Sequence, residues 1–151
     1  MALVNTSSEF VVSSVRSSDN HGKRYCFAVD YTPAASCDLA SNKACCNFQL
    51  DKIEFDIQPA CASHVTDIYI NDKYKSTSYA STAGGEVFKI TQLNSPAIRP
   101  ATWQGATVCF TLAGSQCMDL NNFCRDGRCQ YAFFDAGIKC CPVNNVFTSR
   151  R

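Results

Sequence analysis

The sequence predicts an all-β fold, an antiparallel sandwich-like domain with one or two short helices, held by several disulfides. Three observations predict it. Apolar residues recur at every second position in several short stretches, the period of a half-buried strand. Those stretches are separated by turn-type residues rather than by long connections, which favours antiparallel neighbours over parallel crossovers. Finally, 11 of the 151 residues are cysteine, a density that persists as disulfides only in an oxidising compartment.

Taken in order, a first strand is expected over residues 10–15. Tyr25, Phe27 and Val29 alternate with Cys26, Ala28 and Asp30. Ile53, Phe55 and Ile57 alternate with Lys52, Glu54, Asp56 and Gln58. Each stretch presents an apolar face inward and a smaller or polar face outward. Two further runs, residues 65–70 and 73–79, flank Asn71 and Asp72. Asn and Asp tolerate the positive φ of a two-residue hairpin turn, so a hairpin is expected here. Strands are also expected over residues 86–93, at Val108, Phe110 and Leu112, and over residues 131–134. One segment departs from period two: Cys117, Leu120, Phe123 and Cys124 fall at helical spacing. Two readings stand for it, a short helix with both cysteines on one face, or a loop with a single helical turn.

Charge and hydropathy exclude several classes. The net charge is +1, with 14 Lys and Arg against 13 Asp and Glu, scattered along the chain. That balance offers no electrostatic footprint for nucleic acid. No apolar run approaches the roughly eighteen residues of a membrane span. Residues 1–8 have neither a charged n-region nor an apolar h-region, so a secreted reading requires that a signal segment was removed ahead of them. There is no repeat, low-complexity tract or linker, and residues 1–151 read as one domain.

The cysteines are Cys26, Cys37, Cys45, Cys46, Cys61, Cys109, Cys117, Cys124, Cys129, Cys140 and Cys141. Zinc would need closely spaced thiolates and imidazoles. No C-x2-C pair occurs, and the two histidines, His21 and His64, stand apart from any cysteine pair. Cys45-Cys46 and Cys140-Cys141 are vicinal, with Cα atoms about 3.8 Å apart, shorter than a relaxed disulfide spans. Each of these four is therefore expected to reach a distant segment. An odd count leaves one cysteine without a partner inside the chain. Cys26 and Cys109 each sit mid-strand opposite an apolar face, which suits a bridge between two strands.

Residues 45–55 (CCNFQLDKIEF) followed by Pro59 and Cys61, the strand around Phe88, and residues 105–112 (GATVCFTL) leading into Cys117, Leu120, Cys124, Cys129, Tyr131 and the terminal Cys140-Cys141-Pro142 resemble the pherophorin domains of volvocine green algae. The resemblance covers about residues 25–142. It implies a secreted module of extracellular-matrix or cell-wall glycoproteins, a family whose globular domains are commonly joined by hydroxyproline-rich rods and which includes sexual inducers. The implied partners are extracellular polysaccharide, hydroxyproline-rich glycoproteins or other such domains. Two departures stand out: this sequence has no Pro-rich rod, and residues 3–10 lack the cysteine with which relatives usually begin.

Catalysis finds no foothold in the residues. Neither histidine lies in a recognisable motif, and no nucleophile elbow, P-loop or dinucleotide fingerprint occurs. Glu54 and Asp56 share a strand face, but alternation makes that the solvated face. No cofactor and no metal is implied. For binding, the useful groups are aromatic rings beside polar side chains: Trp103 in an irregular stretch, with Tyr74 and Tyr79 beyond the hairpin turn. A core-edge role for Trp103 competes with that one. Asn5 begins the single glycosylation sequon. Three functions stand: a structural matrix module binding polymer or partner domains, a secreted signalling ligand, and a cysteine-rich hydrolase or inhibitor.

Overall fold

A computed structural model describes residues 9–15, 22–29, 49–75, 87–127, 129–137 and 143–148. Within them the chain forms nine strands: β1 (Glu9–Val15), β2 (Gly22–Ala28), β3 (Leu50–Asp56), β4 (Val65–Ile70), β5 (Lys73–Lys75), β6 (Val87–Ile90), β7 (Thr107–Ala113), β8 (Cys129–Asp135) and β9 (Val143–Thr148). The order across the sheet is β5-β4-β7-β2-β1-β9-β8-β3-β6. Every pairing is antiparallel except β1 with β9, a parallel contact of two residue pairs, Glu9 with Phe147 and Phe10 with Thr148. That short contact joins a five-stranded half to a four-stranded half.

The two halves pack face to face, as ring contacts between them show. Phe27 of β2 meets Phe55 of β3 at 5.8 Å between centroids, Phe110 of β7 meets Phe55 at 5.6 Å, and Phe88 of β6 meets Phe110 at 5.8 Å. All three pairs are edge-to-face, the arrangement that ring quadrupoles favour, adding about 0.5–1.5 kcal/mol per pair beyond area burial. Alternation supplies these rings: Tyr25 and Phe27, Ile53 and Phe55, Val108, Phe110 and Leu112 are all buried, as the period-two pattern requires.

Two strands break strict alternation and still keep one apolar face. In β4, Val65, Ile68 and Ile70 are all buried, and the register against β7 shifts between Thr66 and Tyr69. Asp67 takes the irregularity, with φ of 53°. A bulge inserts one extra residue and so returns both Val65 and Ile68 to the core side. β3 solves the same problem the same way, with its shift between Leu50 and Lys52. The expected hairpin forms between β4 and β5, with positive φ at both Asn71 (45°) and Asp72 (64°). Lys75, opposite Ile68, is only 5% exposed, and burial lowers its pKa.

The segment after β7 corrects the longer of the two helical readings. Only Leu120–Phe123 is α-helical, opened by Asp119, whose side chain accepts from the Asn121 N–H at 3.3 Å. Cys117 lies ahead of the helix and Cys124 caps its end. The two cysteines bond in different directions, Cys117 to Cys61 and Cys124 to Cys129, so one extended helical face could not have served both. Leu120 and Phe123 drop into the core, and Phe123 packs its ring on Phe88 and Phe110. The 3-10 turn Pro59–His64 adjoins this helix at the same end: Gln58 donates to the Phe123 carbonyl at 2.8 Å. Tyr25 reaches the same region, donating its hydroxyl to the Met118 carbonyl at 2.7 Å. Burial, and then the nearby Asp119 charge, push its pKa up to about 12.

Candidate functional site

At the opposite end of β3, the loop between β6 and β7 encloses a cleft of about 190 Å3. Its construction starts with backbone. Leu93 donates to the Asp51 carbonyl at 2.8 Å, and the Asn94 N–H to the Asp51 carboxylate at 3.2 Å, pinning the loop to β3. Ser95 then accepts from the Ile98 and Arg99 N–H groups at 3.1 and 2.8 Å, closing a turn. Pro100 follows, and proline cannot continue such a turn because it lacks an N–H. Gly105 takes φ of 74° and donates to Val29 at 2.8 Å, while Val29 donates to Ala106 at 2.7 Å. The loop is thus tied to both halves of the sandwich, to β3 at one end and beside β2 at the other.

Trp103 stands between these ties. Its ring packs against the core together with Ile98, yet it remains partly exposed and lines the cleft. The core-edge packing weighed from sequence is present, and part of the ring stays open to solvent. Gln49, Asn94 and Arg99 line the same cleft. The Asn94 amide donates to the Gln49 carbonyl oxygen at 3.3 Å. Each amide keeps further donor and acceptor capacity after that bond. Arg99 is exposed and forms no ion pair with a described residue.

Tyr74 lies elsewhere, on the outer face of the β5 edge and 58% exposed. It stacks edge-on against Tyr69 at 5.7 Å, and the Arg24 guanidinium sits 4.9 Å from the Tyr69 ring. Tyr74 is not among the described residues that line the Trp103 cleft. Tyr79 and Asn5 fall outside the described residues. The hairpin turn does meet the cleft end of the sheet: Asn71 donates its N–H to the Thr107 carbonyl at 2.9 Å and accepts from the Thr107 N–H at 2.8 Å.

The structure bonds Cys26 to Cys109, Cys61 to Cys117 and Cys124 to Cys129. Cys26 and Cys109 face each other directly in the β2–β7 register, on the side away from the core. Cys37, Cys45, Cys46, Cys140 and Cys141 lie outside the described residues, and with them the long-range bonds expected of the two vicinal pairs. Two of the three carboxylates on β3 are engaged in charge pairs, Glu54 with Lys52 at 2.8 Å and Lys89 at 3.4 Å, Asp56 with Arg125 at 3.1 Å, and the third, Asp51, accepts the Asn94 N–H. Among the described residues no group of three or more His, Cys, Asp or Glu is placed to hold a metal ion, and no helix is long and apolar enough to cross a membrane.

Sequence reasoning singled out Trp103 but not its neighbours across the cleft. Gln49 and Asn94 are separated by most of the β3–β6 excursion, and no local motif links them. Arg99 does lie four residues before Trp103, but nothing in a linear pattern says that the turn at Ser95 brings it onto the same cleft.

Comparison with known proteins gives a consistent result. The family model for pherophorin matches residues 4–142. A relative from Volvox carteri, perphorin-2, is 31% identical over 139 residues, which covers 81% of this chain and 28% of the relative. Sulfated surface glycoprotein 185, also from Volvox carteri, is 26% identical over 135 residues, covering 87% of this chain and 27% of the relative. The chain therefore spans less than a third of the length of either. No solved structure matches it.

Proposed function

This chain belongs to the pherophorin family, and we propose that it is a non-enzymatic module of an extracellular-matrix glycoprotein that holds matrix polymer at the Trp103 cleft. Membership in a family of matrix and surface glycoproteins gives the location, secreted and in the extracellular matrix or cell wall. The observation that carries the binding role is the half-open Trp103 ring, set in a loop that hydrogen bonds anchor to both sheets. A ring so held offers flat apolar area without the entropic cost of ordering a mobile side chain on binding. The cleft is smaller than the roughly 300–1,000 Å3 of a drug-sized site, and suits one repeating unit of a chain rather than a folded ligand. A lone aromatic with amide neighbours fits a sugar ring better than a proline-rich helix, which docks against a groove lined by several aromatics.

The non-enzymatic reading draws on Glu54 and Asp56 of β3 being held in ion pairs and on the absence of a nucleophile–base pair from the sequence. The test is to measure binding of wild type and Trp103→Phe and Trp103→Ala variants to isolated matrix polysaccharide, to hydroxyproline-rich glycopeptide and to a second copy of the domain. Weakened polysaccharide binding that is greater for Ala than for Phe is expected. Unchanged binding in folded variants would move the site away from this cleft. Turnover of a polymer by pure protein would overturn the non-enzymatic reading.

A further inference from the structure

The geometry points to an acidic saccharide as the ligand of the Trp103 cleft, one whose carboxylate or sulfate group pairs with Arg99 while its ring lies on the indole. This rests on the reading of the cleft as a polymer site and narrows it to a chemical class.

The charge of the walls carries the argument. Among the described residues that line the cleft, Arg99 is the one that carries a charge, and none is a carboxylate. Asp51, whose carboxylate accepts the Asn94 N–H at 3.2 Å, is not among the lining residues. Elsewhere on the described surface several cations beside the sheet are matched, Lys52 and Lys89 with Glu54, Arg125 with Asp56, Arg24 with Asp72 at 4.0 Å, whereas Lys23 and Lys73 form no such pair with a described residue and do not line the Trp103 cleft. Arg99 has no such match among the described residues. Its position is fixed by its own backbone N–H on Ser95 and by Pro100 after it, so the guanidinium is presented from a defined turn. A guanidinium offers planar paired donors that suit carboxylate and sulfate oxygens.

The remaining groups suit the rest of such a ligand. Hydroxyl groups both donate and accept. Gln49 and Asn94 do the same with the capacity left after their mutual bond. Trp103 supplies the apolar platform. A cationic ligand would find no counter-charge here and would meet Arg99.

The experiment compares matched polymers against the whole chain by calorimetry: polygalacturonate with its methyl ester, and dextran sulfate with dextran. Variants are Arg99→Gln, Arg99→Lys, Trp103→Ala, and Lys73→Gln, which removes an exposed cation from the hairpin. At least one acidic polymer should bind about tenfold or more tightly than its neutral counterpart. Which of the two does so separates carboxylate from sulfate recognition. Arg99→Gln should erase that preference, Arg99→Lys should restore part of it, and Lys73→Gln should leave it intact. Rising salt should weaken the acidic polymer alone, because an exposed charge pair is screened. Equal binding of acidic and neutral polymers, abolished by Trp103→Ala, would overturn the acidic class and leave the polymer site standing. A preference lost equally in Lys73→Gln, or unaffected by Arg99→Gln, would show diffuse charge attraction and overturn it too. If no polymer binds and Trp103→Ala changes nothing, both readings fall.

Discussion

The two ends of the sandwich are closed by different chemistry. At the end where β3 runs out, the 3-10 turn Pro59–His64, the helix Leu120–Phe123 and their flanks carry two disulfides, Cys61–Cys117 and Cys124–Cys129. At the end where β3 begins, the β6–β7 loop is held by backbone hydrogen bonds to Asp51, Ser95 and Val29, and no disulfide of the described cysteines reaches it. The first end is almost all irregular backbone, with few ladder bonds to hold it, and covalent ties replace them. The second presents the cleft. A bonded frame at one end leaves the other free to be built from polar groups, as the proposed binding role requires. Stability should therefore reside at the disulfide end and binding at the cleft end.

The strongest test of that division replaces Cys61 and Cys117 together by Ser. They lie 56 residues apart, and the chain-entropy relation gives a loss of about 4 kcal/mol for a loop of this length. Urea unfolding should show that loss, while any protein still folded binds polymer unchanged. Binding that falls in step with stability would mean that the two ends are coupled.

Alkali should also act on the disulfide end. Tyr25 ionises near pH 12 in the folded chain and near 10 when exposed, so its neutral form stabilises the fold fully below about pH 10. Above that the unfolded chain releases its proton first, and stability falls as pH rises, by about 2 kcal/mol at pH 12. A denaturant series across that range should show the decline, and Tyr25→Phe should remove this part of it.

Gly114 gives the next effect. Its φ is 88°, and an added Cβ would stand 2.6 Å from His64 Nδ1. Gly114→Ala should cost roughly 1–2 kcal/mol. Adding His64→Ala should recover only part, since the backbone conformation still disfavours a side chain. At the cleft end the effects are smaller. Asn71→Ala removes the acceptor of the Thr107 N–H and should cost about 1 kcal/mol. Arg99→Gln should change the free energy of unfolding by no more than about 0.5 kcal/mol, whatever it does to binding.

How far these features were legible in the sequence follows the same division. The strands of the core could be read because burial on one face imposes period two, as at Tyr25, Phe27 and Phe110. The Cys26–Cys109 bond was legible for that reason: two cysteines in mid-strand on the outer side can meet across a ladder. The Asn71-Asp72 turn was legible because few residues accept positive φ. β9 was not, since the two Asn residues between Val143 and Val146 break alternation. Neither were Cys61–Cys117 and Cys124–Cys129, because the path of an irregular segment is set by what it packs on, not by spacing. The cleft stood between these cases. Trp103 announced itself by size and by its irregular surroundings, whereas Gln49 and Asn94 became neighbours only through the pairing of β3 with β6.

The parallel contact between β1 and β9 has a mechanical consequence. Glu9, where the first strand begins, lies beside Phe147, near where the last strand ends, one strand spacing or about 4.8 Å away. A domain strung within a longer load-bearing chain would receive tension at these two neighbouring points. The pull would run through two residue pairs in shear and would bypass the aromatic interior. Under strain that seam would be loaded first, while the disulfides, Cys26–Cys109 within the five-stranded half and Cys61–Cys117 and Cys124–Cys129 in the segments that join the halves, would keep the rest of the fold together. A seam of that size would take up load before the packed interior does.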